Sequence, residues 1–177
     1  MTRAAASEGS PATRAATARP GGNPRRASSA LTLQIATRSR TLPSPERIRR
    51  WARAALARPA QVTLRIVGER EGESLNREFR RKPGATNVLT FCYDPVGGDE
   101  RRGRLAGDIV LCAPVIAREA RAQGKALDAH YAHLTVHGLL HLQGYDHEHP
   151  REARIMEAME VAVLRRLGFR NPYAMED

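Results

Sequence analysis

The segment HGLLHLQGYDH (137–147) holds three histidines, His137, His141 and His147, in the spacing H-x3-H-x5-H. Imidazole is a neutral, borderline-soft ligand, and three converging on zinc leave at least one coordination position open. An open position marks a metal that does chemistry; a purely structural zinc normally takes a fourth protein ligand, often Cys. The spacing is that of the metallopeptidase pattern H-E-x-x-H-x-x-G-x-x-H, in which the glutamate beside the first ligand takes a proton from water. Gly138 stands at that position and has no proton-accepting side chain. A peptidase is therefore disfavoured unless a distant carboxylate substitutes. A phosphodiester makes a different demand. There the metal polarises a phosphoryl oxygen or activates water, and the transition state needs positive charge on the phosphate oxygens.

For three imidazoles to meet, the first two must share a helix face. DAHYAHLTVHGLLHLQG (128–144) reads as that helix, with Asp128 as a candidate cap. At 100° per residue, His130, His133, His137 and His141 fall within about 80° of one another. Gly144 then permits a left-handed turn, and G-Y-D carries His147 back to the pair. His130 and His133 could line the same cleft or hydrogen-bond a ligand from behind. His149 could compete with His147. Asp146, in the turn, is a weak candidate for general base and better suited to orienting a ligand or the loop, so the base is unassigned.

Positive charge is offered by LNREFRRKPGATNVLTF (75–91), where Arg80, Arg81 and Lys82 sit between a predicted helix and a strand. A guanidinium at such an edge can grip a phosphate with two donors. A basic run at a helix C-terminus is also favoured by the helix dipole alone. On these residues both readings stand.

The remaining periodicity predicts strands over 31–37, 61–68, 87–93 and 105–112, and helices over 44–58, 73–80, 113–124 and 150–168. Ser44 can cap the first helix and Pro45 suits its first position; Ile48, Trp51, Ala52, Ala55 and Leu56 form one face. Val62, Leu64 and Ile66 share one side of the second strand. Ile155, Met156, Met159, Val163 and Leu167 are expected to point inward from the last helix. RKPGA (81–85) breaks the helix before it, and DPVGGDERRGR (94–104) is a turn-rich loop. Five helices and four strands on short connections imply a single α/β (α+β) domain around one core, with no internal repeat.

The 177 residues carry a formal charge of +10. Up to residue 40 there are seven arginines against the single acid Glu8, so +6 lies there and +4 in the rest. Residues 1–30 are Ala, Arg, Ser, Pro and Gly without periodic apolar residues, and are expected to be a disordered tail ahead of a folded domain over 31–177. An Arg-rich, acid-poor tail also suits a transit peptide or an RNA-binding arm. No apolar run has the length of a bilayer span, so a soluble protein without a membrane partner is expected. The two unpaired cysteines make the cytoplasm the expected location, with organellar import by the tail as the alternative. The overall balance favours acidic partners, nucleic acid or an anionic membrane surface, but the +4 left for residues 41–177 is only mildly basic and weakens that argument for the fold itself. Cys92 and Cys112 are far apart in sequence and are expected to be reduced and buried.

HGLLHLQGYDH and LNREFRRKPGATNVLTF together resemble the YbeY family of bacterial endoribonucleases, and the likeness continues through AGDIVLC (106–112), HYAHLTVHG (130–138) and LGFRNPY (167–173). It covers about residues 60–173. The resemblance implies a single α/β domain, a small mixed sheet flanked by helices. It implies one metal ion, usually taken to be zinc, on His137, His141 and His147, and Arg80 as the functional arginine. A basic cleft beside the metal would hold RNA, with Arg80 and Lys82 as candidate substrate contacts. The implied activity is metal-dependent, single-strand-specific RNA cleavage in ribosomal RNA maturation, especially at the small-subunit 3′ end, and in ribosome quality control. The ribosome or pre-ribosomal small subunit is then a partner. Ala85 and Thr90 stand where the family usually has Pro and often Ser; Ala85 constrains the loop less, and Thr90 keeps a hydroxyl. The alternative is a ribosome-assembly binding factor with a structural metal.

Overall fold

In the computed structural model, residues 29–93 and 104–174 are described. Most of the expected tail over 1–30, and the loop over 94–104 apart from its last residue, lie outside them. In chain order the elements are β1 (Ala30–Ala36), α1 (Pro45–Ala55), β2 (Ala60–Val67), α2 (Glu69–Arg80), β3 (Val88–Tyr93), β4 (Leu105–Cys112), α3 (Ala113–Ala122), α4 (Leu127–Leu142) and α5 (Pro150–Arg166). The strands form one mixed sheet in the order β1-β2-β4-β3. β1, β2 and β4 run parallel, and β3 lies antiparallel on the outer edge of β4. This is a single α/β domain with five helices.

The strand periodicity decides which face is covered. Val62, Leu64 and Ile66 alternate to one side of β2 and are buried, as are Ile109 and Leu111 of β4. They meet Ile48, Trp51 and Ala52 of α1 and Leu139 and Leu140 of α4 in one core. Full burial of each such aliphatic side chain contributes roughly 1.5–3 kcal/mol. Ser44 caps α1 by accepting from the Arg47 N–H at 3.4 Å, and Pro45 opens it. A smaller cluster of Val67, Leu89, Val110, Cys112 and Val115 lies with Leu75 and Phe91 around it.

α4 is buried on most sides, with Tyr131, Leu134, Val136, Leu139, Leu140 and Leu142 all enclosed. A helix apolar nearly all round belongs in a core. Its histidines form the polar stripe that remains. Gly107 and Gly138 let it lie close to the sheet. A Cβ on Gly107 would come within 2.3 Å of the Phe91 carbonyl oxygen and 2.4 Å of Leu142 Cδ2. Backbone cannot yield as a flexible side chain can. Gly107→Ala is therefore expected to lower stability by about 1–3 kcal/mol, read as a lower melting temperature; an unchanged melting temperature would contradict this packing.

Four expectations need correction. α2 begins at Glu69 rather than 73. Gly72 lies inside it because a Cβ there would come within 2.9 Å of Cys112 Sγ, so the glycine serves close packing and does not break the helix. Asp128 does not cap α4: Ala126 holds the cap position, and Asp128 sits in the first turn, paired with Arg47. Ile155 is about half exposed, while Met156, Glu160, Val163 and Leu164 face inward. Cys92 is exposed near the end of the edge strand β3, and only Cys112 is buried.

Candidate metal centre and substrate cleft

α4 carries His137 and His141 one turn apart, with ring centroids 4.6 Å apart. The helix stops because Gly144 takes φ +87°, which costs a glycine no Cβ clash. The Gly144 N–H donates to the His141 carbonyl at 2.9 Å and the Tyr145 N–H to the Leu140 carbonyl at 3.1 Å, closing the turn. Asp146 Oδ1 accepts from the His147 N–H at 2.7 Å. The returning chain sets the His147 ring 5.4 Å from His137 and 5.0 Å from His141. One ring nitrogen from each of the three lies within 4.8 Å of the others.

Zinc is the group these residues are expected to hold, and the donor set fits it. His137 Nε2 and His141 Nε2 are 3.1 Å apart. Two nitrogens each about 2.0–2.1 Å from a tetrahedral zinc stand about 3.3 Å apart. Metal binding needs neutral imidazole. Burial, then the neighbouring His137 and His147, holds the His141 imidazole below its ordinary pKa. Among the described residues, this group has no fourth Cys, Asp, Glu or His member, so a tetrahedral metal held there would keep one position for water or substrate.

Behind the ligands lies a residue that the sequence reading missed. Glu160 of α5 is 0% exposed. His137 Nδ1 lies in hydrogen-bond contact with its Oε1 at 2.7 Å, and His133 Nε2 with its Oε2 at 3.0 Å. The Tyr173 hydroxyl also donates to Oε2. Burial acts to raise the Glu160 pKa, but the hydrogen bonds from His133, His137 and Tyr173 outweigh it and hold the carboxyl at about 2. His133, His137 and Glu160 also form a compact potential ligand set. Its atoms already satisfy one another, and His137 keeps Nε2 for the first group. The signal for Glu160 was its position four residues after Met156 and three before Val163, in phase with the buried stripe of α5.

The other histidines of the stripe diverge in use. His133 supports the site through Glu160. His130 bonds Glu119 Oε2 at 2.8 Å, and Glu119 accepts in turn from Asn87 Nδ2 at 3.0 Å. Burial holds the His130 imidazole below its ordinary pKa against the pull of Glu119. His130 thus braces α4 against α3 and the entrance to β3. His149 holds the cap position of α5 and is in neither ligand group.

A cleft of about 270 Å³ opens beside the histidines, lined by Arg80, Val88, Thr90, His137, His141 and Asp146 among others. Arg80 therefore faces the same space as two candidate ligands. It ends α2, and Arg81 follows in the left-handed conformation at φ 55°. The buried Asn76 side chain donates to the Lys82 carbonyl at 3.2 Å and the Gly84 carbonyl at 2.9 Å. Asn76 so fastens the loop that Ala85 was expected to leave less constrained. Thr90 keeps its hydroxyl in the cleft. Cys92 also lines it, outside the ligand group. Lys82 is exposed and is not among the lining residues.

Gly138 bears on the peptidase alternative. A Cβ there would meet Ile109 Cγ2 at 3.0 Å and Thr90 Oγ1 at 3.2 Å. Position 138 faces the sheet, so the peptidase glutamate is missing and its place is filled.

A family model described as Endoribonuclease YbeY matches residues 34–168. The chain belongs to the YbeY endoribonuclease family. Endoribonuclease YbeY of Aromatoleum aromaticum is 58% identical over 149 residues, covering 82% of this chain and 92% of the relative. That of Nitrosomonas europaea is 53% identical over 146 residues, covering 82% and 85%. That of Azoarcus sp. strain BH72 is 59% identical over 134 residues, covering 75% and 53% of the two chains. This membership places the chain among endoribonucleases. No helix of the described residues is long and apolar enough to cross a membrane.

Proposed function

We propose that the chain is a metal-dependent, single-strand-specific endoribonuclease that cuts ribosomal RNA, at the small-subunit 3′ end among other sites, and serves ribosome quality control. The observation that carries this reading is the shared cleft: His137, His141 and Arg80 line one space. His137, His141 and His147 would hold the metal, with zinc favoured by three nitrogen donors. Bound there, it supplies Lewis-acid polarisation of a phosphoryl oxygen and acidification of water. Arg80 grips the scissile phosphate through two donors and stabilises charge as it builds on the phosphate oxygens. The Gly144 turn holds His147 on station, and Asp146 fixes that turn through the His147 N–H. Single strands are favoured because a strand free of pairing can bend its backbone into a narrow cleft. Ribosomal RNA as substrate, and the pre-ribosomal small subunit as partner, rest on membership of the family.

The test is cleavage of an end-labelled single-stranded RNA before and after chelation. Chelation is expected to abolish cleavage, added zinc to restore it, and the circular dichroism to keep its helical signal throughout. Loss of the helical signal with the metal would instead favour the binding factor, whose structural metal contributes folding energy. Cleavage that survives complete chelation would overturn metal dependence.

A further inference from the structure

We infer that Glu160 and Tyr173, neither in the histidine motif, set the affinity of the metal centre by fixing the tautomer and basicity of His137. The inference rests on the metal reading above and concerns what lies behind it. Glu160 can only accept while ionised, so each imidazole that meets it must donate. His137 therefore carries its proton on Nδ1, 2.7 Å from Oε1, and its Nε2 is bare. That bare nitrogen is the one that faces His141 Nε2. His133 is held the opposite way, with its proton on Nε2 toward Oε2. A carboxylate behind a ligand imidazole orients the ring and raises its donor strength.

Charge supplies a second argument. Glu160 is wholly buried, and among the described residues its partners are two imidazoles and a phenol, with no Lys or Arg. A buried anion without a cation is costly. A divalent cation held by His137 Nε2 and its fellow ligands would supply the missing positive charge. The site thus sets a buried anion directly behind the His137 ring, on the side away from the three-histidine face.

Tyr173 brings the segment after α5 into this arrangement. Its hydroxyl bonds Oε2, and its ring packs edge-on to His133 with centroids 5.4 Å apart. Lys125 Nζ donates to the Pro172 carbonyl at 2.9 Å, pinning the same segment from the other side. The residues after α5 therefore close the back of the metal centre.

The experiment measures zinc affinity of metal-free protein by competition with a chromophoric chelator, with no RNA present. Glu160→Gln removes the charge and keeps the shape; about 10- to 100-fold weaker zinc binding is expected. Tyr173→Phe removes one donor and keeps the ring; a smaller loss, of several-fold, is expected. Circular dichroism establishes that each variant is folded, and if Glu160→Gln does not fold, Tyr173→Phe decides. Long-range 15N–1H correlation on the wild type reads the tautomer directly, and His137 should carry its proton on Nδ1. Folded variants that bind zinc as tightly as wild type, or a His137 protonated on Nε2, would overturn the inference and leave the metal reading intact. A wild type that binds no zinc overturns both.

Discussion

Arg80→Ala is expected to keep the fold and the bound metal and to lose about 10²- to 10³-fold in kcat on single-stranded RNA, the scale of removing one preorganised charge-stabilising donor. The fold survives because the loop after α2 is fastened by Asn76, whose amide bonds the Lys82 and Gly84 carbonyls. Losing a cation from the last helical turn costs only about 0.3–1 kcal/mol. The metal survives because Arg80 lines the cleft without belonging to the ligand group. Arg80→Lys should recover little, since an ammonium keeps the charge but loses the two-donor fork. His141→Ala is the necessary companion. It removes a ligand, so it should lose metal and cleavage together. Measuring metal content beside the rate separates the two variants and exposes any contaminating ribonuclease, which both would share with the wild type. Undiminished kcat in metal-loaded Arg80→Ala would remove Arg80 from the chemistry.

How far these residues were legible depended on the kind of signal each gave. The histidine stripe and the Gly144 turn follow from helical periodicity and from glycine's access to positive φ, both local properties, and both were readable. The four strands and five helices were readable for the same reason. Glu160 was not, because a charged residue inside an apolar period is read as an interruption. The helix instead turns that position inward to meet two imidazoles, and Ile155 is displaced to the surface. The same blindness applied to Gly72, whose role depends on Cys112 from a distant strand. Asp128 looked like a cap, yet its partner is Arg47, 81 residues away. Each miss involves a contact between elements that no local pattern carries. The cleft itself is of this kind: Arg80 and His137 reach one space only because β3 lies antiparallel beside β4, beneath α4.

Gly138→Glu would supply the residue that the metallopeptidase motif requires, and it is expected to destabilise the fold strongly without creating a peptidase. The first carbon of that side chain already meets Ile109 at 3.0 and 3.2 Å and Thr90 at 3.2 Å. Ile109 is fully buried on β4, so its side chain must shift within a close-packed core to admit that carbon. Overpacking of this sort costs about 1–3 kcal/mol. The carboxylate would then sit between α4 and the sheet, and burying an unpaired charge costs several kcal/mol more. Replacing a helical glycine returns only about 0.5–1 kcal/mol. The net loss is a large share of the 5–15 kcal/mol that stabilises a typical domain. At about 2–4 °C per kcal/mol for a domain of this size, a fall in melting temperature of roughly 10 °C or more is expected. Gly138→Ala separates the two causes: it keeps the first carbon and omits the charge, so it should cost far less. A Gly138→Glu protein with the melting temperature of the wild type would mean that α4 can lift from the sheet. The glycine would then be incidental, and the peptidase alternative would reopen. If the expected loss is seen, Gly138 is the residue that lets the helix bearing two metal ligands lie on β3 and β4, and the absent base is a consequence of that packing.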